Sequence, residues 1–314
     1  MNRSTNTNAV LLLLLCAVFW GACFPVGKHA LGEVHALTLM IWRFTIASIC
    51  LMVYAKCKQI AMPTLTPKQW AYAIGISIIG VSGFNLGVFT GLAHTNASNG
   101  ALIMALSPLT TSLISSLLQL KLPTLGTLFS LAVCLYGVLI VLTNGELKRL
   151  LGFEFNQGDQ LIFLGMLCWS VYTYLTQSIS RWMPIIPFTL VGMVSGVGVI
   201  SLVSLVSGGV HPLQESLAIS QAVLADLLFI GIFGTVGGYL LWISGVKQLG
   251  ATNASLFFNF VPVFAVLTAF FYGQEVTELQ LIGITIVITG LLIPRIAQWC
   301  QRRFANDQKV NPMV

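Results

Sequence analysis

Charged residues are scarce in this chain. Only 8% of its 314 residues are Asp, Glu, Lys or Arg, whereas 56% are hydrophobic, and the mean hydropathy is +0.89. Soluble globular domains carry about 25% charged residues, so a water-facing surface cannot be assembled from this sequence. The sequence therefore predicts an all-α integral membrane protein that crosses the lipid bilayer several times.

Groups of reactive side chains are also lacking. The seven cysteines show no CxxC or paired spacing, and the four histidines lie near the ends of apolar runs or in scattered loops. An enzyme would need a nucleophile, a base or metal ligands together in one membrane layer. We therefore expect no catalytic residues, no metal and no cofactor, and we interpret the cysteines as packing residues.

Long apolar runs are abundant. A helix needs about 20 residues to cross the roughly 30 Å hydrocarbon core, and runs of that order are separated by short breaks that contain Gly or Pro. The ten runs cover residues 9–27, 36–55, 70–90, 96–118, 124–143, 160–180, 186–207, 221–244, 251–272 and 278–297. Because the backbone in lipid must satisfy its own hydrogen bonds, each run is predicted to be a transmembrane helix.

An internal repeat divides these helices into two halves. The segment GLAHTNASNGALIMALSP (91–108) aligns without a gap with GVKQLGATNASLFFNFVP (245–262), at a spacing of 154 residues. The aligned identities include the pairs Gly80/Gly234, Gly83/Gly237, Asn99/Asn253 and Pro108/Pro262. Because five helices per half is an odd number, the halves must be inverted relative to each other. Inverted repeats are typical of transporters.

The repeat and the charges predict the layout of the chain. We expect a first five-helix repeat at 1–145, a connecting loop at 146–158, a second repeat at 159–298 and a basic tail at 299–314. With the N-terminus inside, eleven Lys and Arg fall on the cytoplasmic side and three outside, which follows the positive-inside rule. The prediction is a multi-pass protein of the inner (cytoplasmic) membrane with both termini cytoplasmic. The net charge of +6 then sets orientation, and no nucleic-acid partner is expected.

Three prolines are predicted to be kinks or gating points. Pro25 lies near the outer end of the first helix, where it kinks or ends that helix. Pro108 and Pro262 are expected in the middle of the fourth and ninth helices, at matching positions of the two halves. A pair of broken helices in matching positions is the best sequence indication of a transporter's binding region.

Aromatic side chains at membrane depth form one set of candidates. Trp20 lies near the middle of the first helix, away from the interfacial belt that membrane tryptophans favour, so it either packs in the core or lines a path. The repeat pairs Trp20 with Trp169 in the sixth helix. Trp169 and Tyr172 either stack on a planar or apolar substrate or form an aromatic core stripe.

Polar side chains form a second set. Asn85 and Tyr239 occupy matching positions of the third and eighth helices, where each faces a cavity or packs. Asn99 and Asn253 belong to the polar beginnings of the fourth and ninth helices. These groups must face protein or water, because a lipid-facing helix cannot carry them at low cost.

Two ionisable residues lie in or near predicted spans. Arg43 is about eight residues into the second helix, roughly 12 Å deep at 1.5 Å per residue. It either attracts an anionic carboxylate or braces its helix by hydrogen bonds, and an intramembrane charge is a functional hypothesis by default. Asp226 begins the eighth helix and either relays a proton or forms a solvated cap.

Several motifs together resemble a known family. They are WGACFPVGK at 20–28, Arg43 in the second helix, ALIMALSP ending at Pro108, PVFAVLTAF at 262–270 and QLIGITIVITG at 280–290. The chain is similar along its length to the EamA-type branch of the drug/metabolite transporter superfamily. The resemblance implies ten helices in an inverted five-plus-five arrangement, a central cavity between the halves and export of amino acids or related metabolites by alternating access. The cavity residues it implies are Trp20, Asn85, Asn99, Trp169, Tyr239 and Asn253.

The expected function is export of small metabolites, with amino acids or their derivatives as cargo. A broad-specificity drug exporter and an uptake permease of the same fold are the alternatives. The small four-helix members of the superfamily couple to protons through a glutamate in their first helix, and the first helix here contains no acid. A facilitator driven by the substrate gradient, or coupling through another group that the sequence does not identify, fits better. The glycines of helices five and ten indicate either scaffold packing or a homodimer contact.

Overall fold

The computed structural model describes residues 3–92, 94, 103–104, 106–120, 123–143, 145–146, 156–271, 277–290 and 293. These residues form helices and short connections, and none of them belongs to a β-strand. Asn99, most of the predicted connecting loop at 146–158 and the basic tail at 299–314 lie outside the described residues.

The first half contains six α-helices and one π-helical segment in its described residues. In chain order they are α1 (Arg3–Ala30), α2 (Ala36–Cys57), α3 (Pro67–Ser77), the π-helix π1 (Ile78–Gly83), α4 (Phe84–Leu92), α5 (Ser107–Gln119) and α6 (Leu125–Thr143). Helix α3, π1 and α4 together form one continuous apolar span, Pro67–Gly91.

The second half follows the same order. Its elements are α7 (Gln157–Ile179), α8 (Ile185–Ser207), the short α9 (Pro212–Leu217), α10 (Gln221–Phe229), the π-helix π2 (Ile230–Gly237), α11 (Gly238–Leu249), α12 (Ala251–Ser255), a 3₁₀ turn (Leu256–Asn259), α13 (Phe260–Phe271) and α14 (Glu278–Gly290). Helix α10, π2 and α11 form one span, Gln221–Leu249.

Within the described residues, six helices are long and apolar enough to cross a membrane. They are Thr7–Gly27, Ala36–Cys57, Pro67–Gly91, Ile185–Ser207, Gln221–Leu249 and Ala251–Thr268, and Leu125–Val141 and Glu278–Gly290 are shorter apolar helices. The prediction of an all-α membrane protein is confirmed. The count of ten crossings stays a prediction.

Local sequence signals set where several helices begin. At the start of α3, the Thr66 hydroxyl accepts a hydrogen bond from the Gln69 N–H at 3.3 Å, and the Gln69 side chain accepts one from the Thr66 N–H at 2.9 Å. Asn156 and Asp159 make the same reciprocal pair at the start of α7. Such capping boxes satisfy donors that the first helical turn leaves free.

The two halves pack on each other reciprocally. Helix α1 packs on α11 and α13 of the second half, and its counterpart α7 packs on α4 and α5 of the first half. Helix α2 packs on α8. The last helices of the halves also meet, because a Cβ at Gly137 of α6 would lie 2.8 Å from the carbonyl oxygen of Gly283 in α14. The glycines of helices five and ten are thus used for packing within one chain.

The structure corrects the expected position of Pro108. This proline lies in the first turn of α5 rather than in the middle of a helix, and the first turn has no carbonyl waiting for the missing N–H. Pro262 is the third residue of α13 and lies in the middle of the longer span Ala251–Thr268. This ninth predicted span is broken into α12, the 3₁₀ turn and α13. Helix α1 continues past Pro25 as far as Ala30.

Candidate substrate site

Six aromatic rings meet where the two halves join. This central aromatic cluster consists of Trp20, Trp169, Tyr172, Tyr239, Trp242 and Phe258. The ring centroids of Trp20 and Trp169 are 5.4 Å apart with an interplanar angle of 75°, and those of Trp169 and Tyr239 are 5.9 Å apart at 87°. Edge-to-face pairs of this kind are the preferred geometry of aromatic contacts. The cluster joins α1, α7, α11 and the 3₁₀ turn.

The rings are largely closed off from the surface of the protein. Trp169, Tyr172 and Trp242 are each 1% exposed, and Trp20 is partly exposed. The rings therefore fill the space between the halves in this conformation. A substrate can reach them only if helices of the two halves separate.

Glycines in the π-helical segments allow this close packing. A Cβ at Gly80 of π1 would overlap the ring of Tyr172, and a Cβ at Gly238, just after π2, would overlap the indole of Trp20. The Trp20 indole also donates a hydrogen bond to the Gly234 carbonyl at 2.9 Å. π-Helical turns are rare and occur often at functional sites.

The two π-helices make equivalent contacts in the two halves. A Cβ added at Gly83 of π1 would lie 3.3 Å from the Sγ of Cys168 in α7, and one added at the aligned Gly237 of π2 would lie 3.1 Å from Cε2 of Phe19 in α1. Because Cys168 and Phe19 are themselves aligned by the Trp20/Trp169 pairing, one packing arrangement occurs twice. Each π-helix thus holds the first helix of the opposite half.

Arg43 lies beside this cluster and connects three elements. Its Nε donates to the Thr235 hydroxyl at 3.1 Å, and a terminal nitrogen donates to the Asn85 side-chain oxygen at 3.4 Å. The Asn85 amide in turn donates to the Val81 carbonyl at 2.7 Å, and Tyr239 lies within hydrogen-bonding reach of Asn85. In the part of the chain that the structure describes, Arg43 has no carboxylate partner. The bonds brace α2 against π2 and α4, and the guanidinium charge stays unneutralised.

The remaining candidates from the sequence lie in different places. Asn85 is buried between Arg43 and Tyr239, so these aligned residues meet at the junction of the halves. Asn253 is exposed, and its amide donates to the Leu249 carbonyl of the preceding turn at 3.0 Å. The structure does not bring it into the central aromatic cluster. Asn99 lies outside the described residues.

Sequence reasoning missed Trp242, Phe258 and Thr235. Trp242 was detectable, because it follows Tyr239 by three residues and so shares one helix face with it. No sequence signal marks Thr235 as the partner of Arg43, because that contact depends on how two distant helices pack.

Polar contacts at the C-terminal end of α1 link this end and the loop after it to α9, to Ser220 and to α10. His29 Nδ1 lies 2.5 Å from the Asp226 carboxylate, and the hydrogen bond to Asp226 raises the pKa of His29. The Glu33 carboxylate accepts a hydrogen bond from the Ser220 N–H at 2.7 Å, which lowers the pKa of Glu33. Glu215 accepts one from the His35 N–H at 2.9 Å. Asp226 is thus an ion-pair partner in this structure.

The family follows from comparison with known proteins. The EamA-like transporter family model matches residues 7–143 and again residues 156–294. The chain therefore belongs to the EamA-like transporter family, of the drug/metabolite transporter superfamily, as its motifs suggested. Family membership makes it a multi-pass membrane transporter rather than an enzyme.

Relatives of similar length share this assignment. The chain is 32% identical over 288 residues to the uncharacterized transporter YyaM of Bacillus subtilis strain 168, covering 91% of this chain and 93% of YyaM. It is 21% identical to a probable terminal-alkyne amino-acid exporter of Streptantibioticus cattleyicolor, with 91% and 93% of the two chains covered. A solved crystal structure superposes with a TM-score of 0.74 at 17% identity, over 92% of this chain and 97% of the other, which shows a shared fold.

Proposed function

We propose that this protein exports small metabolites, with amino acids or their derivatives as cargo, across the inner membrane. The observation that carries the proposal is Arg43. It is a cation at membrane depth without a carboxylate partner among the described residues, and it is held by Asn85 and Thr235 against aromatic rings from both halves. A guanidinium at membrane depth without a carboxylate partner favours binding of a substrate that has a carboxylate group.

The chemistry of the neighbouring groups fits the rest of an amino acid. An arginine guanidinium binds a carboxylate through two parallel hydrogen bonds. The faces of Trp and Tyr rings attract an ammonium group, and they also pack against apolar side chains. We assign Trp20, Asn85, Trp169, Tyr172 and Tyr239 to the substrate-binding surface. The assignment does not depend on Asn99 or Asn253.

Alternating access fits the way the halves pack. Rings from both repeats close the centre, so a relative movement of the repeats (1–145 and 159–298 in our division) would open it to one side and then the other. The repeats are inverted in this proposal, and both termini are cytoplasmic. Pro108, Pro262 and the two π-helices lie at first turns or irregular turns of helices, where movement costs least. Pro25 lies inside α1, five residues before its end, and we assign it a gating role as well.

The named relative that acts on amino acids supports this cargo. The Streptantibioticus protein is a probable exporter of a terminal-alkyne amino acid, which carries the ammonium and carboxylate groups that Arg43 and the rings would bind. The aromatic cluster on its own also suits planar apolar compounds, so a drug exporter is the second candidate.

Counterflow in proteoliposomes tests the proposal. Vesicles with the purified protein are loaded with unlabelled amino acids and assayed for uptake of labelled ones, with and without a pH gradient, beside a Trp169→Ala control. Exchange of one group of amino acids without the gradient supports a facilitative amino-acid transporter. Movement of dyes or drugs only, following the gradient, overturns it in favour of drug export. Net transport of the labelled amino acid is also measured in cells. Net efflux indicates an exporter, and net uptake indicates an uptake permease.

A further inference from the structure

A cavity of about 200 Å³ lies away from the aromatic cluster, between α5, the start of α6 and α12. Hydroxyl and amide side chains line it almost throughout. They are Ser112, Ser115, Ser116, Gln119, Thr124 and Thr127, with Thr252 opposite. Every one of these described side chains is polar and uncharged.

One of the lining hydroxyls lacks a hydrogen-bond partner in the protein. Ser112 is 1% exposed, and its Oγ contacts no donor or acceptor among the described residues. Its neighbour Ser115 is partnered, because it accepts a hydrogen bond from Gln119 at 2.8 Å. A buried hydroxyl without a partner is costly, and the polar cavity beside Ser112 offers a place from which water or a polar solute can supply the bond.

Further hydroxyls without protein partners continue from the cavity towards the centre. Ser107 and Thr111 on α5 and Thr173 on α7 are fully buried and, within the described part of the chain, unpaired. Thr176 on α7 is also fully buried and lies within hydrogen-bonding reach of Tyr172. Helices α5 and α7 pack on each other, and the Thr110 and Ser170 hydroxyls bond across their interface at 2.7 Å. Because Thr173 follows Trp169 by about one helical turn, this hydroxyl row leads from the cavity to the central aromatic cluster.

The other half has no such row at the aligned positions. At the spacing of 154 residues, the counterparts of Ser107, Thr111 and Ser112 are Val261, Ala265 and Val266. The Trp20/Trp169 pairing likewise aligns Thr173 with Phe24 and Thr176 with Gly27.

The equivalent interface of α1 with α13 is sealed by apolar packing. A Cβ at Gly21 would lie 2.6 Å from the Cβ of Phe264. The two interfaces have the same helix packing, so the difference in polarity is specific to one side of the membrane. In the proposed orientation that side is cytoplasmic, because α5 and α11 end there, next to Lys247.

We propose that the cavity and the hydroxyl row form the cytoplasmic entrance for small polar solutes without net charge, such as zwitterionic amino acids. This inference rests on the proposed function and adds the route and the charge class of the cargo. Hydroxyl and amide groups both donate and accept hydrogen bonds, so they bind an ammonium and a carboxylate alike. The cavity lining, which also includes Pro123, provides no counter-charge for a solute with a net charge.

Labelling of a cysteine in the cavity from each side of the membrane tests whether the cavity opens to the cytoplasm. Ser116→Cys, in a background with the exposed Cys57 and the tail residue Cys300 replaced by serine, is treated with a membrane-impermeant maleimide in everted and right-side-out vesicles. The matched control is Leu113→Cys, three residues earlier on α5 and 46% exposed on the helix surface. We expect labelling of Ser116→Cys in everted vesicles only, and none of Leu113→Cys. Labelling from the outside, or none above the control, would overturn the proposal. This result does not depend on which cargo is moved, so it stands apart from the counterflow assay.

Transport by valine variants tests the hydroxyl row. Thr111→Val and Thr173→Val keep the side-chain volume and remove one unpaired hydroxyl each. We expect amino-acid counterflow to fall by about tenfold while thermal stability is unchanged or higher, because an unpaired buried hydroxyl is removed. Leu113→Phe is the control for altered helix volume. Unchanged counterflow in both valine variants, in a preparation whose parent protein transports amino acids, contradicts the entrance. A parent without amino-acid counterflow contradicts the proposed function instead.

Discussion

Trp20 and Trp169 occupy aligned positions of the two halves, and their rings meet edge to face with centroids 5.4 Å apart. Each indole also contacts Tyr239, Trp242 and Phe258. Neither half could build this cluster alone, because α1 contributes one indole and α7 the other. The candidate site therefore belongs to the junction of the repeats, and any separation of α1 from α7 must break this contact.

Removal of either indole is expected to reduce transport. We predict that Trp20→Ala and Trp169→Ala lower amino-acid counterflow by at least about tenfold, because each removes a ring that faces the cargo. Phe24→Ala is the control, since Phe24 is on the same helix as Trp20 and is largely exposed. The amount of protein in the membrane is measured by immunoblot. Normal counterflow in both variants at normal protein levels would remove these residues from the site.

Substitution by alanine is expected to have opposite effects on protein stability at Gly80 and at Gly75. A Cβ at Gly80 would overlap the Tyr172 ring, whereas a Cβ at Gly75 would meet no atom within 4 Å. We predict that Gly80→Ala destabilises the protein by about 1–3 kcal/mol through overpacking. Gly75→Ala should be neutral or stabilise by about 0.5–1 kcal/mol, because alanine favours the helix.

The measurement for these glycines is the thermal unfolding midpoint of each variant in detergent, beside the parent protein. If Gly80→Ala is as stable as Gly75→Ala, then the close approach of π1 to α7 is not needed in the folded protein.

Arg43 is predicted to recognise the carboxylate of the cargo. Arg43→Gln keeps a donor towards Thr235 or Asn85 and removes the charge. We expect the KM for amino acids to rise by about tenfold or more, while competition by the corresponding amines, which lack the carboxylate, is unchanged. Arg43→Lys should recover part of the affinity, because a lysine keeps the charge without the planar fork.

A purely bracing role for Arg43 would give a different pattern. The variants would then lose thermal stability, and amino acids and amines would be affected equally. The two measurements together decide between the two interpretations of this residue.

The pairing of His29 with Asp226 should make stability depend on pH. Because the hydrogen bond raises the pKa of His29 above its ordinary value of 6.5, the stabilisation is fully present below the unfolded pKa. It is lost as the pH rises through the folded pKa. His29 is more than half exposed, so screening by solvent keeps the effect small. We expect the thermal midpoint of the parent to fall slightly between about pH 6 and 9, with a flatter profile in Asp226→Asn. Parallel profiles would show that the pair does not contribute to stability.

Much of the fold could be predicted because lipid leaves the chain few choices. Apolar runs of helical length gave the six crossings that the structure supports, since only helices satisfy the backbone in these runs. The repeat aligned Trp20 with Trp169 and Asn85 with Tyr239, and the structure brings the two members of each pair close together. The position of Pro108 within its helix was wrong, because sequence spacing does not show whether a proline interrupts a helix or begins one. Only the residues on each side of Pro108 and Pro262, once folded, decide that.

The sequence by itself determined the membrane class, the helical backbone, the duplication and the family, because composition, periodicity and internal alignment are properties of the chain alone. The tertiary structure decided which side chains share a site. Arg43 meets Thr235, and Gly80 meets Tyr172, across separations that no local pattern encodes. It also decided that Ser107, Thr111 and Thr173 are buried without partners among the described residues, whereas Asn253 is exposed and bonds to the Leu249 carbonyl. The physical reason is that helix packing sets the direction of each face, and packing depends on every helix at once.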